Sequence, residues 1–181
     1  MSDIKQLIIQ TKKTLEDKLQ MENIDQYLIV QASRQKIYLV KNNNICFESS
    51  VSTSKNGLGN EDGSFKTPVG IHAVRTKIGD KQPKYTVFKA REPTKLKYDL
   101  ENIPNEDLIT SRIIWLTGVE KGVNSGGSVD TYSRYIYIHG TPHEKEIGIP
   151  VSHGCIRMKN DEIIDLFQQV DIGTPVVIID N

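Results

Sequence analysis

A histidine and a cysteine in the C-terminal part of the chain have the residue types and neighbours that acyl transfer requires. His139 is followed by a turn-rich stretch and then by Ser152-His153-Gly154-Cys155-Ile156-Arg157-Met158. A free cysteine has a pKa of about 8.5, so its thiol needs a base to attack a carbonyl near neutral pH. It also needs backbone N–H donors for the oxyanion, which a neighbouring glycine permits. The segment therefore predicts a covalent acyl-transfer site.

Four residues of this segment have candidate catalytic roles. Cys155 is the nucleophile that would form a thioester. His139 ends a predicted strand, a rigid position from which its ring can act as general base and then as general acid. The backbone carbonyl of Gly140 would orient that ring, as the third member of a triad does. His153 precedes Cys155 by two residues and lies on the same face of an extended chain, so the residues alone leave it open as the base.

The neighbours of Cys155 have candidate roles in binding. The backbone N–H groups of Gly154 and Cys155 are the expected oxyanion donors. Arg157 either holds a substrate carboxylate or forms an ion pair with a surface Asp or Glu. The hydroxyl of Ser152 is expected to form hydrogen bonds within the loop.

Two non-enzymatic interpretations remain alongside the acyl-transfer site. Together, His139, His143, His153 and Cys155 supply four side chains that zinc accepts. Their spacing lacks the short paired motifs of zinc sites, however, and Gly154 beside the thiol has no role in metal binding, so we expect no metal and no cofactor. A non-catalytic β module that binds wall glycan is the other alternative, and the presence of both Cys155 and His139 argues against it.

The elements that must position these residues are predicted to be mainly strands. Short β-rich runs at 27–31, 36–40 and 45–51 are separated by turn residues, which is typical of an antiparallel meander. Further strands are predicted at 111–116, 132–139 and 175–179. Within 132–139 the apolar Ile136 and Ile138 share one face and Tyr137 and His139 share the other.

One helix is predicted near each end of the chain. Residues 3–22 have an apolar face of the kind that packs on the outside of a domain: Ile4, Leu7, Ile8, Leu15 and Leu19. The second helix has Asn160 as its predicted N-cap. Its buried stripe is predicted to consist of Ile163, Ile164, Leu166, Phe167 and Val170. The predicted domains are accordingly an N-terminal helix at 1–24 and a catalytic domain at 25–181. The irregular, Lys- and Pro-rich stretch 77–130 is predicted to be a substrate lid or insertion.

Composition limits the partners and the location. The 181 residues carry 23 Lys and Arg against 23 Asp and Glu, with no long basic run, so we expect no nucleic-acid partner. No apolar run reaches the roughly 18 residues that a membrane span needs. The N-terminus lacks signal-peptide features, so a cytoplasmic location is expected, or a periplasmic or wall location if a leader was removed. We expect Cys46 to pack in an apolar strand rather than to pair with Cys155.

The motifs around Cys155 resemble those of the L,D-transpeptidases, cysteine enzymes of peptidoglycan with a YkuD-type catalytic domain. His139-Gly140-Thr141 and the 152–158 motif resemble the family signature. Thr67-Pro68-Val69-Gly70 is similar to the family's Thr-Pro-x-Gly turn, and residues 173–178 are similar to its closing strand. The resemblance covers roughly residues 27–180 and is most specific at the cysteine.

The resemblance implies a β-sandwich-like catalytic domain that binds a peptidoglycan stem peptide or muropeptide. It implies cleavage between the third residue, often diaminopimelate, and the terminal D-alanine. It also places the base at His139, places His153 beside the oxyanion, and implies that a carbapenem acylates Cys155. Water would resolve the thioester in an L,D-carboxypeptidase that recycles wall fragments, and a second stem would resolve it in a transpeptidase. The expected cytoplasmic location favours water.

Overall fold

The first three strands form the predicted antiparallel meander in the computed structural model, which describes residues 2–98, 103 and 106–180. Strands β1 (Gln26–Gln31), β2 (Lys36–Lys41) and β3 (Asn44–Ser50) pair in sequence order. Asn42 and Asn43 have φ of 48° and 62°, and asparagine tolerates this left-handed conformation in tight hairpin turns. Cys46 is exposed on β3, so its predicted packing is wrong. Ile45 and Phe47 alternate with it and take the half-buried positions.

The remaining strands extend and curl this sheet. They are β4 (Gly70–Ile78), β5 (Thr86–Lys89), β6 (Glu92–Lys97), β7 (Ile109–Gly118), β8 (Tyr137–Gly140), β9 (Ile156–Met158) and β10 (Pro175–Ile179). The order along the sheet is β3-β2-β1-β10-β4-β7-β5-β6, and β8 pairs with both β7 and β9. Ser52, just after β3, pairs with Arg157 in β9, which brings the far strand back to the first ones.

The curled sheet encloses the main hydrophobic core. Buried side chains from β1, β2, β4, β7, β8, β9 and β10 meet one another there. Helix α2 (Asn160–Gln169) lies against this core through Ile163, Leu166 and Phe167. The predicted mainly β, sandwich-like architecture with a helix near each end is confirmed.

Helix α1 (Ser2–Leu19) covers the outer face of the meander. Its apolar face packs against Tyr27, Ile29, Tyr38 and Val40, and the Tyr27 hydroxyl donates to the Ile8 carbonyl at 3.0 Å. This is the packing that the apolar spacing predicts, with the helix ending at Leu19. In the described part of the chain, no helix has the length and apolarity to cross a membrane.

Residues 77–130 are predicted to be one substrate lid or insertion, but part of this stretch belongs to the central sheet. They include β7, a ten-residue strand that lies between β4 and β8 and is almost entirely buried, so this part is framework. Strands β5 and β6 form a hairpin, and β5 pairs with Ile109 and Thr110 at the start of β7. A lid role stays a prediction for this hairpin and the residues after it, of which 99–102, 104 and 105 lie outside the described residues.

Candidate active site

Cys155 lies in the turn that leads into β9. Its sulfur contacts one backbone group of β8 and one of the turn that precedes β8. The Tyr137 N–H donates to Sγ at 3.4 Å, and the thiol donates to the Tyr135 carbonyl at 3.4 Å. The side chain is partly buried. The predicted strand at 132–139 begins only at Tyr137, because 132–135 form a turn. That turn, with Tyr135 at φ 56°, aims the Tyr135 carbonyl at the sulfur.

His139 is buried on β8, on the same face of the sheet as Cys155. Strands β8 and β9 are parallel, with His139 opposite Arg157 and Ile138 opposite Ile156. Because side chains alternate along a strand, Tyr137 shares the face of His139, while the two isoleucines point into the core. Cys155 packs against the cluster that contains Tyr137, which places it on this same side of the sheet. The His139 Nδ1 lies 2.8 Å from the Gly140 carbonyl, which only accepts, so Nδ1 carries the proton and Nε2 keeps its lone pair.

Both groups are held neutral in this site. Burial lowers the pKa of His139 below its ordinary range, although the Gly140 carbonyl opposes the shift. Burial raises the pKa of the Cys155 thiol to about 11; Asp107 adds to the shift, and Arg157 and Arg134 oppose it. The resting state therefore has a neutral Cys155 thiol, hydrogen-bonded to the Tyr135 carbonyl, and a neutral His139 imidazole whose Nδ1 carries the proton. Such a pair can transfer the proton as the sulfur attacks.

The turn before Cys155 is fixed by two hydroxyl groups. The Ser152 hydroxyl donates to the Cys155 carbonyl at 2.5 Å and accepts the Gly154 N–H at 3.2 Å. The Thr67 hydroxyl, from the Thr-Pro-x-Gly turn, donates to the Gly154 carbonyl at 3.0 Å. Of the two expected oxyanion donors, the Gly154 N–H is thus directed at Ser152 in the resting state. Within the described residues, the Cys155 N–H has no acceptor.

We expect Gly154→Ala to destabilise the protein and to slow acylation of Cys155. Gly154 has φ of +126°, and an added Cβ would lie 3.3 Å from Ile136 Cδ1 and 3.4 Å from the Lys66 carbonyl oxygen. Strain of this kind lowers the free energy of unfolding by about 1–3 kcal/mol. Gly148, at φ +104° with open space around its added Cβ, is the matched control. Denaturant unfolding measures the stability of both variants, and acylation rates should show a loss of activity only for the Gly154 variant. Equal acylation rates in the two variants would contradict a requirement for glycine in the turn before Cys155.

Arg157 is buried and paired with acidic residues. Its guanidinium contacts the Asp107 carboxylate, and Nη1 lies 3.9 Å from Glu146 Oε2. It therefore forms the ion pair with Asp or Glu that the sequence offered as one alternative; the guanidinium is buried, while the two carboxylates are 36% and 50% exposed. His153 is exposed, with Nδ1 3.4 Å from Asp107 Oδ2 and its ring edge-on to Phe65. Asp107 thus contacts both His153 and Arg157, which lie two positions before and two positions after Cys155.

Sequence reasoning missed Asp107 because it lies 46 positions from His153 and 50 from Arg157, in the least regular stretch. It misassigned Asn160, which is the first residue of α2 rather than its N-cap; that position belongs to Lys159. The Asn160 side chain is buried instead, and it accepts from the hydroxyls of Thr110 and Ser111 and donates to the Thr141 carbonyl. It thereby joins β7 to the residue after Gly140 and supports the strand end that carries His139.

An aromatic cluster lies against Cys155. Trp115 stacks on Tyr132 with ring centroids 4.1 Å apart and meets Tyr137 edge-on at 5.4 Å. Tyr135, the residue that accepts the thiol hydrogen bond, is 5.6 Å from Trp115 and half exposed. Cys155 packs against this cluster. Cys155 therefore borders an aromatic cluster, and Asp107 lies close enough to add to the rise in its pKa.

The four residues of the zinc alternative are not brought together. His143 Nε2 is 3.2 Å from the Glu106 carbonyl, and His153 contacts Asp107. In the ranges that the structure describes, no three His, Cys, Asp or Glu side chains are grouped as metal ligands. The contacts that the structure gives Cys155 Sγ are instead with the backbone of Tyr135 and Tyr137.

The sequence of this chain is similar to a family of known proteins. A family model of the L,D-transpeptidase catalytic domain, YkuD, matches residues 25–178. The putative L,D-transpeptidase YqjB of Bacillus subtilis is 30% identical over 157 residues, which cover 87% of this chain and 73% of that protein.

Solved structures with low sequence identity have a similar fold. An L,D-transpeptidase from Mycobacterium smegmatis superposes with a TM-score of 0.55 at 18% identity, over 86% of this chain and 58% of that one. The LD transpeptidase LdtMt1 in complex with imipenem superposes with a TM-score of 0.53 at 19% identity, over 86% of this chain and 59% of that one. The chain thus spans less than two thirds of the length of these structures.

Proposed function

The chain belongs to the L,D-transpeptidase family, and we propose that it cleaves peptidoglycan stem tetrapeptides between the third residue and the terminal D-alanine. The observation that supports this most is the neutral Cys155 thiol on the same side of the sheet as His139, whose Nε2 keeps its lone pair. This arrangement performs acyl transfer through a thioester. The third residue is proposed to be diaminopimelate.

Acylation begins when Cys155 Sγ attacks the carbonyl carbon of the third residue. As the C–S bond forms, His139 Nε2 takes the thiol proton, and the Gly140 carbonyl holds Nδ1–H and stabilises the imidazolium. The tetrahedral intermediate then collapses and breaks the peptide C–N bond. His139 returns the proton to the departing amine, which leaves as D-alanine, and the third residue remains as a thioester on Cys155.

The oxyanion is proposed to be stabilised by backbone N–H groups of the turn. The Cys155 N–H is available for this in the described structure. The Gly154 N–H joins it only if its 3.2 Å hydrogen bond to Ser152 is exchanged for the oxyanion. One such donor contributes about 10²–10³ in rate.

We place hydrolysis first for the second step. Water attacks the thioester while His139 accepts one of its protons. The C–S bond then breaks, His139 returns that proton to Cys155 Sγ, and the tripeptide leaves as a carboxylate after its acid proton passes to solvent. The alternative is attack by an amine of a second stem, which forms a cross-link with the same residues. Water requires no second peptide-binding surface, which supports hydrolysis. A cytoplasmic location is a separate proposal, which cell fractionation tests.

One product analysis tests the proposal. We expect the protein, incubated with a purified disaccharide tetrapeptide, to release D-alanine and leave the disaccharide tripeptide in a mass spectrum. A dimer linked between two third residues would instead support transpeptidation. An unchanged tetrapeptide after long incubation, from protein that is folded by circular dichroism, would overturn the proposed cleavage.

A carbapenem is expected to acylate Cys155. Its strained lactam presents an electrophilic carbonyl to Sγ, and the related LdtMt1 has been solved in complex with imipenem. Intact-mass analysis after incubation with imipenem should show one adduct per chain, and Cys155→Ala should show none. The exposed Cys46 is the internal control, because it is a thiol outside the site. An adduct that survives Cys155→Ala would contradict selective acylation.

A further inference from the structure

Three arginine side chains influence or border the Cys155 site, and the terminal nitrogens of two of them are bound to protein groups. Arg157 is paired with Asp107 and Glu146. Arg134 donates to the carbonyls of Gly59, Asn60 and Lys66 at 3.3, 2.9 and 2.7 Å. Both guanidiniums therefore support the framework of the site, and neither is available to a ligand without giving up these bonds.

Arg91 is held differently. Its guanidinium carbon is 5.2 Å from the Trp115 ring centroid and 5.1 Å from that of Tyr135, both within the range of a cation–π contact. It also donates a hydrogen bond to the Tyr137 phenol, which opposes the burial that raises the pKa of that group. In the part of the chain that the structure describes, Arg91 has no carboxylate partner within 4.0 Å. Two ring faces and one phenol oxygen therefore hold the group in place, and the five N–H donors of a guanidinium exceed what one phenol oxygen can accept.

The backbone at Arg91 is shaped to hold this position. Arg91 lies in the tight turn between β5 and β6, where Ala90 and Arg91 have φ of 47° and 69°. Non-glycine residues in this conformation cost free energy, which the surrounding contacts must offset. The Arg91 contacts with Trp115 and Tyr135 tie the tip of the hairpin to the aromatic cluster.

The location of Arg91 relates it to the nucleophile. Tyr135 and Tyr137, which flank the guanidinium, are the residues whose backbone groups contact Cys155 Sγ. Trp115, beneath the guanidinium, belongs to the cluster that packs against Cys155. A peptide bound with its scissile carbonyl at Sγ would bring its adjacent charged groups to this edge of the site.

We propose that Arg91 is a specificity-determining residue that binds a free carboxylate of the donor peptide next to the scissile bond. The inference rests on the proposed function, since it assigns a substrate group to that same site. In a stem tetrapeptide two carboxylates lie close enough: the terminal carboxylate of D-alanine and the side-chain carboxylate of diaminopimelate. A guanidinium recognises either one by charge-assisted, bidentate hydrogen bonds.

The test compares three synthetic tetrapeptides: one with both carboxylates free, one ending in D-alaninamide, and one with the diaminopimelate side chain as its carboxamide. For the unaltered protein, kcat/KM of acylation should fall about tenfold or more on one of the two amidations. Arg91→Met should cleave the free substrate at that reduced rate and show no further loss on the same amidation. Arg91→Lys should recover part of the preference. Which amide matters identifies the carboxylate.

Lys89→Met is the matched control, because it removes a cation from the same hairpin at an exposed position. It should keep the full amidation penalty. If Arg91→Met slows all three substrates equally, Arg91 only stabilises the hairpin and the inference is overturned. It is also overturned if the unaltered protein is indifferent to both amidations. If the unaltered protein cleaves none of the three, the proposed function itself fails.

Discussion

Cys155→Ala is expected to abolish cleavage of the tetrapeptide while the protein stays folded. The substitution removes the atom that forms the thioester, and no other cysteine or hydroxyl group of the described site occupies that position. Its structural cost is small, because Sγ is partly buried and makes only two long hydrogen bonds of 3.4 Å. Mass spectrometry of the products and thermal unfolding by circular dichroism measure the two halves of this expectation.

Cys46→Ala is the control for that experiment. Cys46 lies exposed on β3, where its thiol donates to the Leu39 carbonyl at 3.4 Å. Removing it should leave both cleavage and thermal stability close to those of the unaltered protein. More than trace cleavage by Cys155→Ala in protein free of contaminating hydrolases would contradict the covalent mechanism.

His139→Ala is expected to slow acylation by about 10²-fold or more, because it removes the acceptor for the thiol proton. The effect should be large in this site, where burial keeps the pKa of Cys155 far above neutral and little thiolate exists without a base. His139 is buried, so the alanine variant also loses packing. His139→Gln fills most of that space without a basic nitrogen and should lose a similar factor in rate.

The pH dependence of acylation distinguishes the two histidines. The working form of His139 is the neutral ring, and burial lowers its pKa below the ordinary value of about 6.5. The acylation rate should therefore rise as the pH increases through that lowered pKa and level off by neutrality. This rising limb of the pH–rate profile should disappear in the His139 variants.

His153→Gln is the matched comparison, since His153 is exposed and contacts Asp107 rather than the strand face of Cys155. It should retain the limb and lose less rate. Rates of single-turnover acylation by imipenem across pH 5–9, measured for the His139 and His153 variants, show which histidine is the base. If His153→Gln alone loses the limb, the base is His153.

The local parts of the fold and site were predictable because their signals are contiguous. Short β-rich runs between turn residues predicted β1, β2 and β3, a run at 175–179 predicted β10, and the spacing of Ile4, Leu15 and Leu19 predicted the packed face of α1. The family resemblance was carried by short motifs around Cys155 and is confirmed by the match to residues 25–178.

The rest depended on contacts between distant positions. Asp107 meets Arg157 and His153 only because β7 and β9 flank β8. Asn160 has the side chain of a good helix cap, yet its strongest partners are hydroxyls of β7, about 50 residues earlier. A strand was predicted at 111–116, but its place between β4 and β8 in the sheet could not be predicted, because strand pairing joins residues that are distant in sequence.

The place of β10 in the sheet has a consequence for how the chain reaches its native state. This strand pairs in parallel with β1 and in antiparallel fashion with β4, although it follows all the other described strands along the chain. Until β10 has been synthesised, β1 and β4 each expose an unpaired edge, which invites pairing with other chains. Closure of the sheet must therefore wait for β10, and such long-range strand pairing is slow. Cys155 precedes β10 in the chain, so the thiol is present before the sheet around it is closed.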